Sequence, residues 1–434
     1  MMHRPVAAAF LSVALLVPGP TTAQQFGGAL AVSGDQLLIG EVGNQTLSGI
    51  VYVFARVQGD WTEVEQLSLT DELRAPDGFG RSLAADGDWL LAGAPIEGSA
   101  YLFRRRNGGA WVQEQALVGP EGSRFGAAVA LSGNRAIVSA PGDGPGALHI
   151  FERGEDGLWS PAAELRSPDP SVSGFGQSVA ADGTHLVVTA AGPGRGADSP
   201  VFAFRMEGLV TVSPLQISEL PERSQYGSAV AVHDGVAYVG APGFDNRAGA
   251  VFAFDLRDGG AAYPTRLGPV YADPGSAFGT SITPTEGALI VGAPGTHRTG
   301  VVYEIGMEGA AAGMVRILSS PTLPEGASFG AQVARAGNLA VVGATGIDER
   351  AGSAVVFTAD WDEQSTLINQ PRGFASIKGD EIHCVEGQAA LFECKDVNIT
   401  AFVPIAEIGG ARGTRVNDIW GWTDPESGIE YAIV

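Results

Sequence analysis

The chain has 434 residues, a formal net charge of −22 and 45% hydrophobic residues. So acidic a chain excludes nucleic acid and anionic membranes as partners, because both require basic patches. Glycine contributes 62 residues, well above the usual share of about 7%. Abundant glycine beside enough apolar residues for several cores favours many short strands joined by tight turns.

The first residues have the layout of a secretory signal peptide. Arg4 supplies a positive start, residues 6–17 are almost wholly apolar, and Thr21-Thr22-Ala23 provides the small residues of a cleavage site. The apolar run is too short to span a bilayer. We therefore expect residues 1–23 to be removed, and the mature protein to be secreted or held at the cell surface without a transmembrane segment.

An aromatic-Gly pair recurs seven times, at intervals of 46 to 53 residues. Each pair precedes a small-apolar stretch, a polar turn and a hydrophobic strand that ends in Gly-Ala-Pro or a relative of it, degenerate at Gly40-Glu41-Val42 and at Thr189-Ala190-Ala191. The period indicates one structural unit per repeat. The aromatic-Gly pairs are Phe26-Gly27, Phe79-Gly80, Phe125-Gly126, Phe175-Gly176, Tyr226-Gly227, Phe278-Gly279 and Phe329-Gly330.

One repeat shows the expected strands. Residues 81–85 and 89–94 are predicted to pair around the turn at 86–88, where Asp-Gly supplies the positive φ of a hairpin. Residues 99–103 and 111–117 are the predicted third and fourth strands. A tryptophan recurs in register at the fourth strand, at Trp61, Trp111, Trp159 and Trp361.

Four short antiparallel strands cannot bury both of their faces alone, but stacking such sheets around an axis covers them. An open β-solenoid is disfavoured because its coils are normally much shorter. The sequence therefore predicts an all-β, seven-bladed β-propeller of four-stranded blades over residues 24–370. The aromatic residues of the repeated pairs are expected to fill the gaps between neighbouring sheets.

The repeated pattern resembles the FG-GAP repeat of integrin α-subunit propellers and of many bacterial surface proteins. The resemblance covers about residues 26–365, and the stretches 226–254 and 278–303 match best. It implies a propeller used for extracellular recognition, with a protein or a glycan as the partner.

Many FG-GAP blades carry an aspartate-rich calcium loop just before the Gly-Ala-Pro strand. Calcium needs six to eight oxygen ligands, and this chain holds only short turns there, for instance Asp86-Gly87-Asp88. We expect neither calcium nor another cofactor. The loops around Asp245-Asn246 and Asp348-Glu349 are expected to be solvated hairpin tips.

The repeat stops after Trp361, and residues 371–434 contain both cysteines of the chain, Cys384 and Cys394. In an exported protein such a pair is most simply a disulfide. Free thiols or a metal site are the alternatives, although a metal site needs two more good ligands and only His383 is near.

The tail around Trp420-Gly421-Trp422-Thr423-Asp424-Pro425 resembles the opening of bacterial choice-of-anchor B proteins. In that family this stretch leads into a second propeller and a surface-sorting tail. The given sequence halts at Val434, where the first strands of that second domain would begin. We interpret it as a fragment or a natural truncation of an anchored protein.

No nucleophile elbow and no H-E-x-x-H spacing occurs in the chain. The favoured hypothesis is a monomeric, non-enzymatic binding, adhesion or scaffold module whose loops meet a protein or glycan at the cell surface. The alternative is a hydrolase or lyase acting on polysaccharide at the propeller channel, where Glu41, Glu97 and Asp143 are the candidate carboxylates. A purely structural spacer is a third hypothesis.

Overall fold

Seven four-stranded antiparallel sheets form a closed ring, which confirms the predicted seven-bladed propeller. The computed structural model describes residues 25–42, 48–69, 77–106, 109–194, 197–217, 219–257, 264–268, 273–307, 313, 315–358 and 360–369, and shorter stretches between 376 and 433. Each blade consists of four consecutive strands, with the first strand innermost.

The strands of the seven blades follow one another along the chain. Blades 1 to 3 contain β1 (Ala29–Ser33), β2 (Gln36–Glu41), β3 (Ile50–Val57) and β4 (Asp60–Leu67); β5 (Ser82–Asp86), β6 (Trp89–Ala94), β7 (Ser99–Arg105) and β8 (Trp111–Val118); β9 (Val129–Ser132), β10 (Arg135–Ala140), β11 (Ala147–Arg153) and β12 (Trp159–Arg166). Blades 4 and 5 contain β13 (Val179–Ala181), β14 (His185–Thr189), β15 (Val201–Arg205) and β16 (Val210–Pro214); β17 (Val230–His233), β18 (Val236–Ala241), β19 (Ala250–Asp255) and β20 (Thr265–Leu267). Blades 6 and 7 contain β21 (Ser281–Thr285), β22 (Ala288–Ala293), β23 (Val301–Gly306) and β24 (Val315–Leu318); β25 (Phe329–Ala336), β26 (Leu339–Ala344), β27 (Ser353–Thr358) and β28 (Glu363–Leu367).

The ring closes where blade 7 meets blade 1, by the same contact that joins other neighbours. The backbone N–H of Phe26 donates to the carbonyl of Ala351 at 2.9 Å, as Phe329 N–H donates to Thr299 at 2.8 Å. The innermost strand β1 packs against β25 as it does against β5. Each blade takes its four strands from one continuous stretch of chain, so no strand is exchanged between the ends of the ring among the described residues.

The aromatic residues of the repeated pairs fill the gaps between sheets, as predicted. All seven are buried, and seven apolar clusters each join two neighbouring blades. Phe79, for example, lies among side chains of blades 1 and 2 and meets the Tyr101 ring edge-on at 6.0 Å between centroids.

The glycines of the two repeated motifs meet across five of the seven blade boundaries, and the exceptions are those where Ser139 and Thr189 replace the glycine. A Cβ on Gly279 would lie 2.5 Å from the carbonyl oxygen of Ala250 in the preceding blade, and a Cβ on Gly240 would lie 2.2 Å from the carbonyl oxygen of Gly279. Gly279 also has a φ of 92°, which disfavours any side chain. Both motifs therefore need glycine because the two backbones touch.

The repeated tryptophan of the fourth strand contacts the preceding blade. Trp111 Nε1 donates to Gln36 Oε1 at 2.9 Å, and the Trp159 ring meets Trp89 edge-on at 5.4 Å. Gln36 and Trp89 are each the first residue of their blade's second strand. The tryptophans thus help to join neighbouring blades at their outer part.

Short helical turns complete the connections. They are α1 (Phe244–Arg247), α2 (Ile347–Arg350) and the 3-10 turns Thr296–Arg298 and Ile405–Ile408. Asp245 and Asn246 in α1 are exposed, as expected of a solvated tip, but the Arg247 carbonyl also accepts the Ala277 N–H of the next blade at 2.7 Å. None of the helices that the structure describes is long and apolar enough to cross a membrane.

Beyond the ring, the described strands pair two by two. β29 (Gln388–Ala389) pairs with β30 (Phe392–Glu393), and β31 (Trp420–Thr423) pairs with β32 (Glu430–Ile433). The Trp-Gly-Trp-Thr block of the sequence therefore forms β31.

Candidate functional site

One face of the ring carries the turns between second and third strands and the connections between blades. We call it the Gly-Ala-Pro face. The aromatic-Gly pairs lie at the same end, directly before the first strands. The opposite end holds the hairpins between first and second strands and between third and fourth strands. We look for a specific site on the Gly-Ala-Pro face because it also carries every connection between blades.

Blade 4 departs from the repeat more than any other blade on this face. Its second strand ends at Thr189-Ala190-Ala191 in place of Gly-Ala-Pro, and Ser199-Pro200 stands where other blades have glycine before the third strand. The aromatic-Gly pair that follows is the one with tyrosine, at Tyr226. Departures from a repeat's own rule tend to mark functional or strained places.

Two of these departures, Ser199-Pro200 and Tyr226, line a groove of 460 Å³ at the boundary of blades 4 and 5. Its volume lies in the range of about 300–1,000 Å³ that is usual for ligand pockets. The walls come from the connection before blade 4, the loop and strands β15 and β16, and the connection to blade 5. The lining residues are Pro168, Asp169, Asp198, Ser199, Pro200, Val201, Phe202, Thr211, Pro214, Leu215, Gln216, Ile217, Leu220 and Tyr226.

Tyr226 holds one wall of the groove in place. Its hydroxyl donates to the carbonyl of Leu215 at 2.8 Å, and the Leu215 N–H donates to the carbonyl of Val201 at 2.8 Å. Burial raises the pKa of Tyr226 above its usual range, so the hydroxyl stays neutral and can donate. A phenylalanine at this position could not make this bond, which explains what the tyrosine contributes.

Asp198 fixes the opposite wall. Its Oδ1 accepts hydrogen bonds from the Ser224 hydroxyl at 2.6 Å and from the Tyr226 N–H at 2.9 Å. The Ser199 N–H donates in turn to the Tyr226 carbonyl at 2.7 Å. The long second-to-third-strand loop of blade 4 is thereby tied to blade 5 by polar contacts, in addition to the close approach of Gly227 to Ser199.

Asp169 is an exposed carboxylate of the lining. Its Oδ1 accepts from the Ser171 hydroxyl at 2.7 Å and from the Ser171 N–H at 2.9 Å. These two bonds lower the pKa of Asp169, so the group is ionised at neutral pH. The lining contains two aspartates and no basic side chain, which makes the groove electrostatically negative.

The three carboxylates considered for catalysis lie on the Gly-Ala-Pro face, in three different blades, and each contacts a residue of its own blade. Glu41 is buried and accepts from the Tyr52 hydroxyl at 2.8 Å and from Asn369 Nδ2 at 2.6 Å. Two further contacts complete the set: the Tyr101 hydroxyl donates to Glu97 at 2.7 Å, and Arg166 donates to Asp143 at 2.9 Å.

The three carboxylate residues lie at or just after the end of the second strand of their blades, and the innermost strand is the first. They are therefore one strand away from the axis of the ring. None of the three lines the groove. The residues that do line it were missed at the level of sequence. The available signals were Ser199-Pro200, which stands where other blades have glycine, and the tyrosine at 226.

Several predictions concern residues that the structure does not describe. The signal peptide (residues 1–23) and Cys394 lie outside the described residues, so cleavage and the Cys384–Cys394 disulfide stay predictions. Within the described stretches, no group of three or more His, Cys, Asp or Glu side chains is placed to hold a metal ion.

Two of the short turns that replace the calcium loops contact each other directly. The Gly133 N–H donates to Asp86 Oδ2 at 2.6 Å.

Comparison with known proteins agrees with the repeat. No curated protein is found to match this chain. Residues 111–151, from the fourth strand of blade 2 through the third strand of blade 3, match the family model described as FG-GAP repeat. Together with the seven-bladed ring, this match identifies the structure as a β-propeller with an FG-GAP repeat.

Proposed function

We propose that the protein is a secreted, non-enzymatic binding module that presents the Gly-Ala-Pro face to an extracellular protein or glycan at the cell surface. The observation that carries the proposal is the groove between blades 4 and 5, which opens where the chain abandons its own repeat. The FG-GAP repeat match and the signal-like N-terminus support the extracellular setting.

The groove has the composition of a binding site. Prolines and aliphatic side chains supply apolar contact area, while a few polar groups at fixed positions can orient a ligand. Its walls are held by the hydrogen bonds of Tyr226 and Asp198, so the site exists before a ligand arrives. Preformed walls reduce the ordering cost of binding.

The first experiment blocks the groove without disturbing the core. Thr211 and Gln216 are exposed lining residues, so Thr211→Arg with Gln216→Arg should fill the groove and neutralise its negative charge. Fluorescently labelled mature protein is incubated with intact cells of the source organism and with their extracellular polysaccharide. We expect saturable binding by the wild type, at least a tenfold loss in the variant, an unchanged Tm and no release of new sugar ends.

A matched control places the same charges elsewhere. Ser160 and Ala162 are exposed on the outer strand β12 of blade 3, outside the groove. The variant Ser160→Arg with Ala162→Arg should bind like the wild type. Equal binding by the groove variant and the wild type, or no saturable binding at all, would count against the proposal.

A further inference from the structure

The chemistry of the groove identifies a class of ligand. We propose that the groove binds an amino sugar of a polysaccharide, with the ammonium group of the sugar at Asp169 and its hydroxyls on the neighbouring polar side chains. This inference rests on the proposed function and names the ligand for the same groove.

The charge of the groove favours a cationic ligand. Asp169 and Asp198 both line the groove, and no arginine, lysine or histidine does. Both hydrogen bonds that the structure describes to the Asp169 carboxylate go to Oδ1, and a ligand cation can therefore engage Oδ2. A carboxylate and an ammonium form a charge-assisted hydrogen bond, which is about twice as strong as a neutral one. Acidic sugars are repelled by the same two carboxylates.

The prolines of the lining disfavour a peptide ligand. Pro168, Pro200 and Pro214 all lie in the lining, and proline has no N–H to donate. An extended peptide that adds to a sheet edge depends on main-chain hydrogen bonds for its affinity. Three prolines in one groove make such pairing unfavourable, so recognition has to come from side chains.

Those side chains suit a hydroxyl-rich ligand. Ser199 and Thr211 offer hydroxyl groups that donate and accept, and Gln216 offers an amide that does both. Ile217 and Leu220 are half-buried walls on which the C–H face of a sugar ring can rest. The lining residues Asp169, Thr211 and Gln216 are exposed, so the groove is open to solvent and a polymer chain can continue beyond it.

The test compares sugar pentamers that carry positive, neutral or negative groups, with a cationic peptide as a further probe. Probes are the glucosamine pentamer, the N-acetylglucosamine pentamer of the same backbone, a galacturonic acid pentamer and a pentalysine peptide, each titrated calorimetrically into the mature protein. We expect the glucosamine pentamer to bind at least tenfold more tightly than the N-acetylated one, and the acidic pentamer not to bind. Raising the ionic strength should weaken binding, because salt screens exposed charge pairs.

The variant Asp169→Asn isolates the carboxylate, and Asp60→Asn at the exposed start of β4 in blade 1 is its control. Asp169→Asn should lose most of the preference for glucosamine, while Asp60→Asn should retain it. Equal affinity for both hexosamine pentamers, binding of pentalysine alone, or a preference unchanged in Asp169→Asn would each overturn the inference. The proposed function is tested separately by the cell-binding experiment. If the Thr211→Arg/Gln216→Arg variant loses binding to cells, the proposed function holds even when the amino-sugar inference is overturned.

Discussion

His149 replaces an aromatic residue of the repeat with a titratable one, which leaves a buried nitrogen without a hydrogen bond. It lies on the third strand of blade 3, at the position that Tyr52, Tyr101 and Phe252 hold in other blades. Its ring lies 5.3 Å from that of Phe125, and its buried Nε2 has no hydrogen-bond partner. Burial lowers the pKa of His149 below its ordinary value of 6.5, against the opposing charges of Glu164 and Asp143.

The lowered pKa gives the fold a pH dependence with a defined sign. The unfolded chain binds the proton of His149 more readily than the folded one, so this contribution to stability is complete above pH 6.5 and is lost as the pH falls below it. His149→Phe restores the aromatic of the repeat and removes the proton. Urea unfolding at pH 7.5 and 5.0 should show a smaller loss of stability for the variant than for the wild type. Identical losses for both proteins would contradict this assignment.

At the scale of the structural element, the boundary between blades depends on backbone contact. Gly279 and Gly287 both have positive φ in blade 6, but only Gly279 has backbone atoms where a Cβ would stand. Gly279→Ala should lower the free energy of unfolding by about 3 kcal/mol or more, because conformational strain and a clash with blade 5 add. Gly287→Ala should cost only about 1 kcal/mol, the strain alone. Thermal and urea unfolding measure both losses of stability. Similar losses for the two variants would show that the backbone contact at Gly279 does not add to the cost of the substitution.

The repeat made these elements predictable from sequence. The expected strands at 81–85, 89–94, 99–103 and 111–117 differ by at most two residues from β5 to β8, because the aromatic-Gly pair, a glycine-containing turn and a strand end related to Gly-Ala-Pro recur in one order. The groove was not predictable in this way. Its walls come from segments around 168, 200, 214 and 226, which meet only once the blades are stacked, and no local spacing encodes that meeting.

At the scale of the whole molecule, ring closure makes seven comparable interfaces. Phe26 at the boundary of blades 7 and 1 and Phe278 at that of blades 5 and 6 are both fully buried in such interfaces. Substitution of either residue by alanine should cost about 3–5 kcal/mol, the usual range for a buried phenylalanine. Urea unfolding should therefore give similar losses. A much smaller loss for Phe26→Ala would show that the ring already opens at the boundary of blades 7 and 1.

Because no strand is exchanged between blades, the order of the blades along the chain can be changed by circular permutation. β28 ends at Leu367 and β1 begins at Ala29 on the same face of the ring, and the Asn369 side chain bonds Glu41 of blade 1 at 2.6 Å. Every blade is complete within its own stretch of chain, so no blade has to come first. A circular permutant that starts at blade 4 and joins blade 7 to blade 1 through a short linker would build the same ring, because new termini are tolerated at exposed connections.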